Sequence, residues 1–260
     1  MIIDVEKENL MDSVRFFCDS ISKGVAELDG RQSHHLAGVL RLKPGDKVEL
    51  FDGKGTLAIA KVAGANPRKA TLQVEDLQVC SNRNSDRIVI AVSIAKGERF
   101  DWLIGKCTEL GVDRICPVLF ERTVKQAANP KIVERWRNLA ISAAKQCRRV
   151  FLPKIDAPLP LAGAIEMLKK DYPAGRFLLG SVSSESVSLV NQGFGDSDVA
   201  AFIGPEGGTT EKEETLLRQA GCKFVRLTDT VLRIETAALA FASILTAQRD
   251  AESSLVAGGS

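Results

Sequence analysis

Phe202-Ile203-Gly204-Pro205-Glu206-Gly207-Gly208-Thr209-Thr210 decides how this chain is read, together with Val231-Leu232-Arg233-Ile234-Glu235-Thr236-Ala237-Ala238 further along. Each stretch leaves a strand, makes a tight turn and enters a helix. Such turns expose backbone N–H and C=O groups at the carboxyl end of a sheet, where a nucleotide-like ligand is held. The first turn is neither G-x-G-x-x-G nor G-x-x-x-x-G-K-[ST]. Glu206 within it would repel a phosphate, which favours a ligand with a neutral or positive contact point over ATP or NAD. A glycine-rich turn also serves as plain structure, and polar residues before a helix are commonly caps. The two stretches together argue for a site more strongly than either alone.

The surrounding pattern predicts a parallel α/β sheet. Ile88–Ala95 is a continuous apolar run, as in a strand buried on both faces. Phe100, Leu103, Ile104, Cys107 and Leu110 recur at helical spacing, with Gly111 as C-cap. Further strands are expected at 115–120, 176–179, 199–203 and 224–227, and helices at 132–147, 161–168 and 235–248. Thr210-Glu211-Lys212-Glu213 reads as a capping box. Residues 15–80 instead alternate apolar and polar side chains in short runs. They are punctuated by Lys43-Pro44-Gly45-Asp46 and Asp52-Gly53-Lys54-Gly55, which predicts a small β-barrel. A short helix from Ser33, with Ser33 as N-cap, is expected inside it. Ser81–Asp86 reads as a linker.

With 260 residues, 45% of them hydrophobic and 26% charged, the chain has material for one large or two modest domains. No apolar run approaches the ~18 residues of a membrane span, and Met1 to Asp12 lack the basic start and apolar centre of a secretory signal. The six cysteines form no C-x-x-C pair. Buried thiols in the cytoplasm are therefore expected, without a disulfide framework and without a metal site. The net charge is only +2, but residues 121–149 hold eight Lys or Arg against two Glu. A charge run is usually a solvated face; here its single sign beside an apolar helix face points to phosphate contact. His34 and His35 read as barrel packing rather than catalysis.

The residues resemble a known family. The matching pieces, in order, are Arg15-Phe16-Phe17, His34-His35-Leu36 with Val39-Leu40-Arg41, Pro44-Gly45-Asp46 and Leu50-Phe51-Asp52-Gly53. Lys96-Gly97-Glu98-Arg99, Glu109-Leu110-Gly111-Val112, Glu121-Arg122 and Ala144 with Gln146-Cys147 and Arg149 follow. The last are Ile203 to Gly208 and Leu232-Arg233 with Glu235-Thr236-Ala237. The chain is similar, over about residues 15–248, to the bacterial small-subunit ribosomal RNA uracil-N3-methyltransferases.

The resemblance implies an α/β fold, a SPOUT-type trefoil-knotted parallel-sheet domain over 83–250 preceded by a small PUA-like β-barrel over 15–82. An N-terminal extension over 1–14 and a flexible tail over 251–260 complete the layout. It implies S-adenosylmethionine as cofactor, ribosomal RNA or the assembled small subunit as substrate, and a homodimer. Leu179, Gly180, Ile203, Gly204, Pro205, Glu206, Gly207, Gly208, Leu227, Thr228, Val231, Leu232 and Arg233 would surround the cofactor. Arg233 would stabilise charge on the uracil oxygens, and Glu206 or Glu235 would sit near the sulfonium or accept the N3 proton. Arg15, Arg41, Arg122, Lys145, Arg148 and Arg149 are the expected RNA contacts. The family usually carries Leu-Gly-x-Arg where this chain has Leu227-Thr228-Asp229-Thr230, losing a permissive backbone position and a charge. Two other functions fit the same residues: another SPOUT RNA methyltransferase, and an RNA-binding ribosome assembly factor with weakened catalysis.

Overall fold

A computed structural model describes residues 13–81, 87–123, 130–193 and 197–257. The expected linker therefore lies almost wholly, and the N-terminal extension largely, outside the described residues. The chain divides into two compact units: residues 1–82 with 144–152, and residues 83–143 with 153–260.

In the first unit, strands β1 (Arg15–Phe17), β2 (Gly24–Glu27), β3 (Lys47–Phe51), β4 (Thr56–Gly64) and β5 (Thr71–Val79) form one sheet in the order β1-β3-β4-β5-β2. Only the β1–β3 pair is parallel. Register shifts at Ile59/Ala60 and Val62/Gly64 interrupt the β4–β5 ladder, and such irregularities bend a sheet around its core. Phe16, Leu36, Val48, Leu50, Ala60 and Leu72 fill that core.

A short helix α1 (Gly30–His34) continues into a turn of π-helix, His35–Val39. Its N-cap is Asp29, whose side chain accepts from Gln32 N, not Ser33 as expected. Ser33 is buried: its hydroxyl donates to Leu28 O and accepts from Ala70 N, so it staples the helix to the sheet.

Residues 144–152 join this unit although the sequence pattern assigns everything after 82 to the second. Leu152 N donates to Gly53 O, and Lys54 bridges Phe151. A Cβ on Gly55 would lie 2.8 Å from the Phe151 ring.

The second unit is built on eight parallel strands: β6 (Ile88–Ser93), β7 (Arg114–Leu119), β8 (Lys154–Ile155), β9 (Leu159–Pro160), β10 (Arg176–Gly180), β11 (Val187–Ser188), β12 (Val199–Ile203) and β13 (Lys223–Arg226). Their order is β11-β13-β10-β12-β6-β7-β8, with β9 also on β7. β6 and β12 are buried at every residue, which explains their unbroken apolar runs.

The helices are α2 (Glu98–Leu110), α3 (Pro130–Cys147), α4 (Leu161–Asp171), α5 (Glu211–Gln219) and α6 (Ile234–Ala257). Gly111 caps α2 with φ 95°, and the Thr210–Glu213 capping box opens α5, both as expected. Leu161, Ala164, Leu168 and Leu217 from α4 and α5 pack on Val89, Val118, Phe202 and Phe224 of the sheet. α6 packs against β6, β12 and α2. It runs through Ala257, into the stretch expected as a flexible tail.

All six cysteines are free, and Cys147 is exposed whereas Cys18, Cys107, Cys116 and Cys222 are buried. Burial pushes the Cys107, Cys116 and Cys222 thiols up to about 12. No helix of the described residues is long and apolar enough to cross a membrane.

Candidate active site

Three neighbouring parallel strands, β12, β10 and β13, end on the same side of the sheet, and the start of α6 closes over them. Together they line an open cavity of about 540 Å³. Its glycine-rich wall is the whole stretch Ile203 to Thr209. Gly208 N donates to Pro205 O and Gly208 has φ 72°, a left-handed conformation that glycine adopts without steric cost.

This turn is held from outside. Arg122 Nη1 donates to Gly207 O. Glu213 does two things at once: it completes the capping box with Thr210, and its Oε1 accepts from Glu121 N at 2.6 Å. The end of β7 is thereby tied to the entry of α5.

The opposite wall is apolar. Val225, Leu227, Val231, Leu232, Ile234, Ala237 and Phe241 line it. Ser181, Ser183, Thr209, Thr228 and Thr230 contribute hydroxyls, Glu206 and Glu214 carboxylates, and Arg122 a positive charge.

In the Leu227–Thr230 segment, Thr228 Oγ1 bonds Thr230 O at 3.1 Å, and Arg226 pairs with Asp229 at 3.2 Å. None of these residues needs a positive φ. A hydroxyl bond therefore closes this turn without a left-handed residue.

The structure brings most of the expected cofactor set together: Gly180, Ile203 to Gly208, Leu227, Thr228, Val231 and Leu232 all line the cavity. Three of the expected site residues are not part of the cavity wall. Leu179 does not line it; as the strand alternates, its side chain turns into the core beside Phe202. Arg233 is exposed between two lining residues and makes no ion pair among the described residues. Glu235 is buried and faces Arg99 instead.

Among the expected RNA contacts, Arg122 is part of the cavity wall. Arg15 is a correction: it is buried, its Nε 2.6 Å from Glu49 Oε1, its Nη1 donating to Ala144 O, and its guanidinium over the Phe51 ring. Burial lowers its pKa, against the opposing pull of Glu49. Such a group is not presented to a phosphate.

Arg41 is exposed, with φ 56°. Arg148 is exposed and lies 3.3 Å from Glu49; Arg149 Nε donates to Phe151 O. Lys145 is half-buried at 3.2 Å from Gln32 Oε1, with a pKa lowered first by burial and then by Arg31.

Sequence reasoning missed Ser181 to Ser183, Val225, Ile234, Ala237 and Phe241. The serines follow the third strand end directly, a position that the carboxyl-end rule identifies once that strand is recognised. Phe241 carried no local signal, because an aromatic residue on an apolar helix reads as core. Among the described residues, no group of His, Cys, Asp and Glu is placed to hold a metal.

Residues 82–246 match the family model described as RNA methyltransferase domain, and residues 28–75 the one described as RNA methyltransferase PUA domain. The chain is 30% identical over 255 residues to ribosomal RNA small subunit methyltransferase E of Mycobacterium bovis, an alignment covering 94% of this chain and 96% of that one. It is likewise 30% identical over 222 residues to the protein of that name from Synechocystis, covering 84% and 72%. The crystal structure of a ribosomal RNA small subunit methyltransferase E from Neisseria gonorrhoeae bound to S-adenosyl methionine superposes with a TM-score of 0.79 at 31% identity, over 90% of this chain and 97% of that one. One family model spans more than half of the chain and relatives align along nearly all of it, so the chain belongs to the RNA methyltransferase family of ribosomal RNA small subunit methyltransferase E.

Proposed function

We propose that this chain transfers a methyl group from S-adenosylmethionine to N3 of a uridine in small-subunit (16S) ribosomal RNA, acting in the cytoplasm, as a homodimer, on assembled subunits. The observation that carries this reading is the cavity at the ends of β10, β12 and β13. Its chemistry fits the cofactor. A volume of about 540 Å³ suits a ligand of that size. The apolar wall from Val225 to Phe241 offers a slot for an adenine ring, and the hydroxyls suit a ribose and an amino-acid end. A carboxylate-bearing wall with one arginine suits a cationic ligand better than a polyphosphate.

When bound, the cofactor supplies a methyl group on a sulfonium whose departure leaves a neutral thioether. The chain's own residues have three tasks. The turn Gly204–Gly208 and the rim Val231–Leu232 position the donor for in-line attack, which supplies much of the acceleration in such a displacement. Uracil N3 carries a proton that must leave, and its electrons then form the new N–C bond. Of the two carboxylates considered, only Glu206 lines the cavity, so Glu206 is assigned the place beside the sulfonium or the N3 proton. Arg233, exposed at the rim and without an ion pair among the described residues, is assigned to the negative charge that develops on the uracil oxygens. The base must leave its stack to arrive there. Arg41, Arg148 and Arg149 are assigned to the RNA backbone.

The trefoil knot belongs to the same proposal. Its support is the strand order, in which the chain returns to insert β12 between β6 and β10 and then crosses to β13 beyond β10.

Labelled methyl transfer to naked 16S RNA and to assembled small subunits, followed by nucleoside analysis, tests the reading. The expected product is 3-methyluridine, formed preferentially on the subunit. A methylated ribose would point to another RNA methyltransferase. Calorimetry without cofactor binding would point to an RNA-binding assembly factor.

A further inference from the structure

Arg99 stands in the first turn of α2, two residues after the N-cap Gly97, which has φ 64°. A cation is disfavoured at a helix N-terminus, where the macrodipole is positive. Arg99 is nevertheless held between two carboxylates from separate segments. Its Nη1 lies 3.6 Å from Glu206 Oε1, in the turn after β12, and 3.7 Å from Glu235 Oε1, in the first turn of α6. The side chains of Arg99 and Glu206 are about half exposed, and that of Glu235 is 10% exposed.

Glu235 Oε2 is buried and makes no hydrogen bond among the described residues. The ion pair with Arg99 is the one that Glu235 makes among those residues. A buried carboxylate with so little else around it depends on that partner. Glu235 itself is well placed in another respect, since an acid in the first turn of α6 meets the favourable end of that helix.

We propose that Arg99 is a positioning residue, whose guanidinium fastens the turn 204–209 to the start of α6 and so fixes two walls of the cavity relative to each other. Its effect on catalysis rests on the methyltransferase reading of that cavity; the fastening itself does not. Arg99 does not line the cavity, so it acts through Glu206 and Glu235 and not on a ligand. Two adjacent loops that must hold one donor within a narrow geometry gain from such a tie, because small displacements of reacting groups carry large rate costs.

The test compares full-length wild type with Arg99→Met, which keeps most of the stem and removes the charge, and with Arg99→Lys. Amide hydrogen exchange without ligand is the first readout. In Arg99→Met, exchange in both 204–209 and 231–237 is expected to rise about tenfold, as it does when local opening becomes easier. Kinetics are the second readout. kcat is expected to fall about tenfold or more, with KM for RNA within about twofold, and Arg99→Lys to recover part of the loss. In the exchange readout, Glu206→Gln in the Arg99→Met background is expected to add little, since the two share one interaction.

Unchanged exchange in either segment overturns the proposal, whatever the activity. Equal destabilisation of the whole chain, with exchange raised everywhere alike, also overturns it. If Arg99→Met does not fold, Arg99→Lys alone decides by the same exchange criterion. A wild type without methyl transfer but with the segment-specific exchange response would sink the functional reading and leave the positioning role standing.

Discussion

Phe241 closes on Gly180: a Cβ built on Gly180 would lie 2.9 Å from Phe241 Cε2 and 3.2 Å from Cζ. The end of β10 and the third turn of α6 therefore meet at a point where only a hydrogen fits. Both residues line the cavity. Gly180→Ala is expected to push the ring inward, at a cost of about 1–3 kcal/mol in strain. Affinity for S-adenosylmethionine, measured by calorimetry, should fall severalfold or more while the chain stays folded. An unchanged Kd would mean that the ring does not border the ligand.

Among the described residues of the second unit, Arg114 is the most deeply buried charge. Its Nε and Nη2 donate to Asp156 at 2.6 and 3.0 Å, and its Nη1 donates to Asp171 at 2.6 Å. Burial alone would lower its pKa, but the hydrogen bonds that it donates to Asp156 and Asp171, with a further one to Tyr172, outweigh it and the net direction is up. Arg114→Met leaves Asp156 buried without this partner and is expected to cost about 3–5 kcal/mol. Denaturant unfolding measures it. A loss below about 1 kcal/mol would show that solvent reaches Asp156 more freely than its burial implies.

Arg15 and Arg41 are expected to behave oppositely. Arg15→Met removes a partner of buried Glu49 and should cost about 3 kcal/mol, the low end for such pairs because Arg148 still lies beside Glu49. Arg41→Gln should change stability by less than about 0.5 kcal/mol, and should weaken RNA binding while lowering its salt slope by about 1. Titrations at several salt concentrations check this. Equal stability losses in both variants would remove the distinction.

His35 carries a pH dependence. Its ring packs edge-on to Phe16, 5.8 Å between centroids, with Lys145 Nζ 3.5 Å from Nδ1. Burial first, then Lys145 and His34, lower its pKa. The unfolded chain thus takes up a proton near pH 6.5 that the folded chain accepts only at lower pH. Between those two values the unfolded state binds more protons, so stability falls as pH drops below about 6.5 and is regained as pH rises. The melting temperature between pH 7.5 and 5 should show this slope, and His35→Gln should flatten it. Identical slopes would assign the dependence elsewhere.

Much of the parallel unit was legible in the chain. Val199–Ile203 was read to the residue because a strand buried on both faces leaves an uninterrupted apolar run. The Thr210 capping box and the Gly111 C-cap were legible because capping depends on residues a few positions apart. The cavity wall 203–208 was legible for the same local reason. Ser33 was misread as an N-cap because Asp29 takes that place and a partner of the Ser33 hydroxyl, Ala70 N, lies 37 residues away. Arg15 looked like a surface cation until Glu49 and Ala144 O were brought to it across the fold.

The sequence by itself determined the long buried strands, the Thr210 and Gly111 caps and the two turns that make a site, since each depends on neighbours along the chain. Only the tertiary structure decided which side chains face the cavity. It turned Leu179 into the core, left Arg233 at the rim, brought Phe241 onto Gly180 and set Arg99 between Glu206 and Glu235. These are matters of strand alternation, helix rotation and long-range charge pairing, and no stretch of a few residues encodes them.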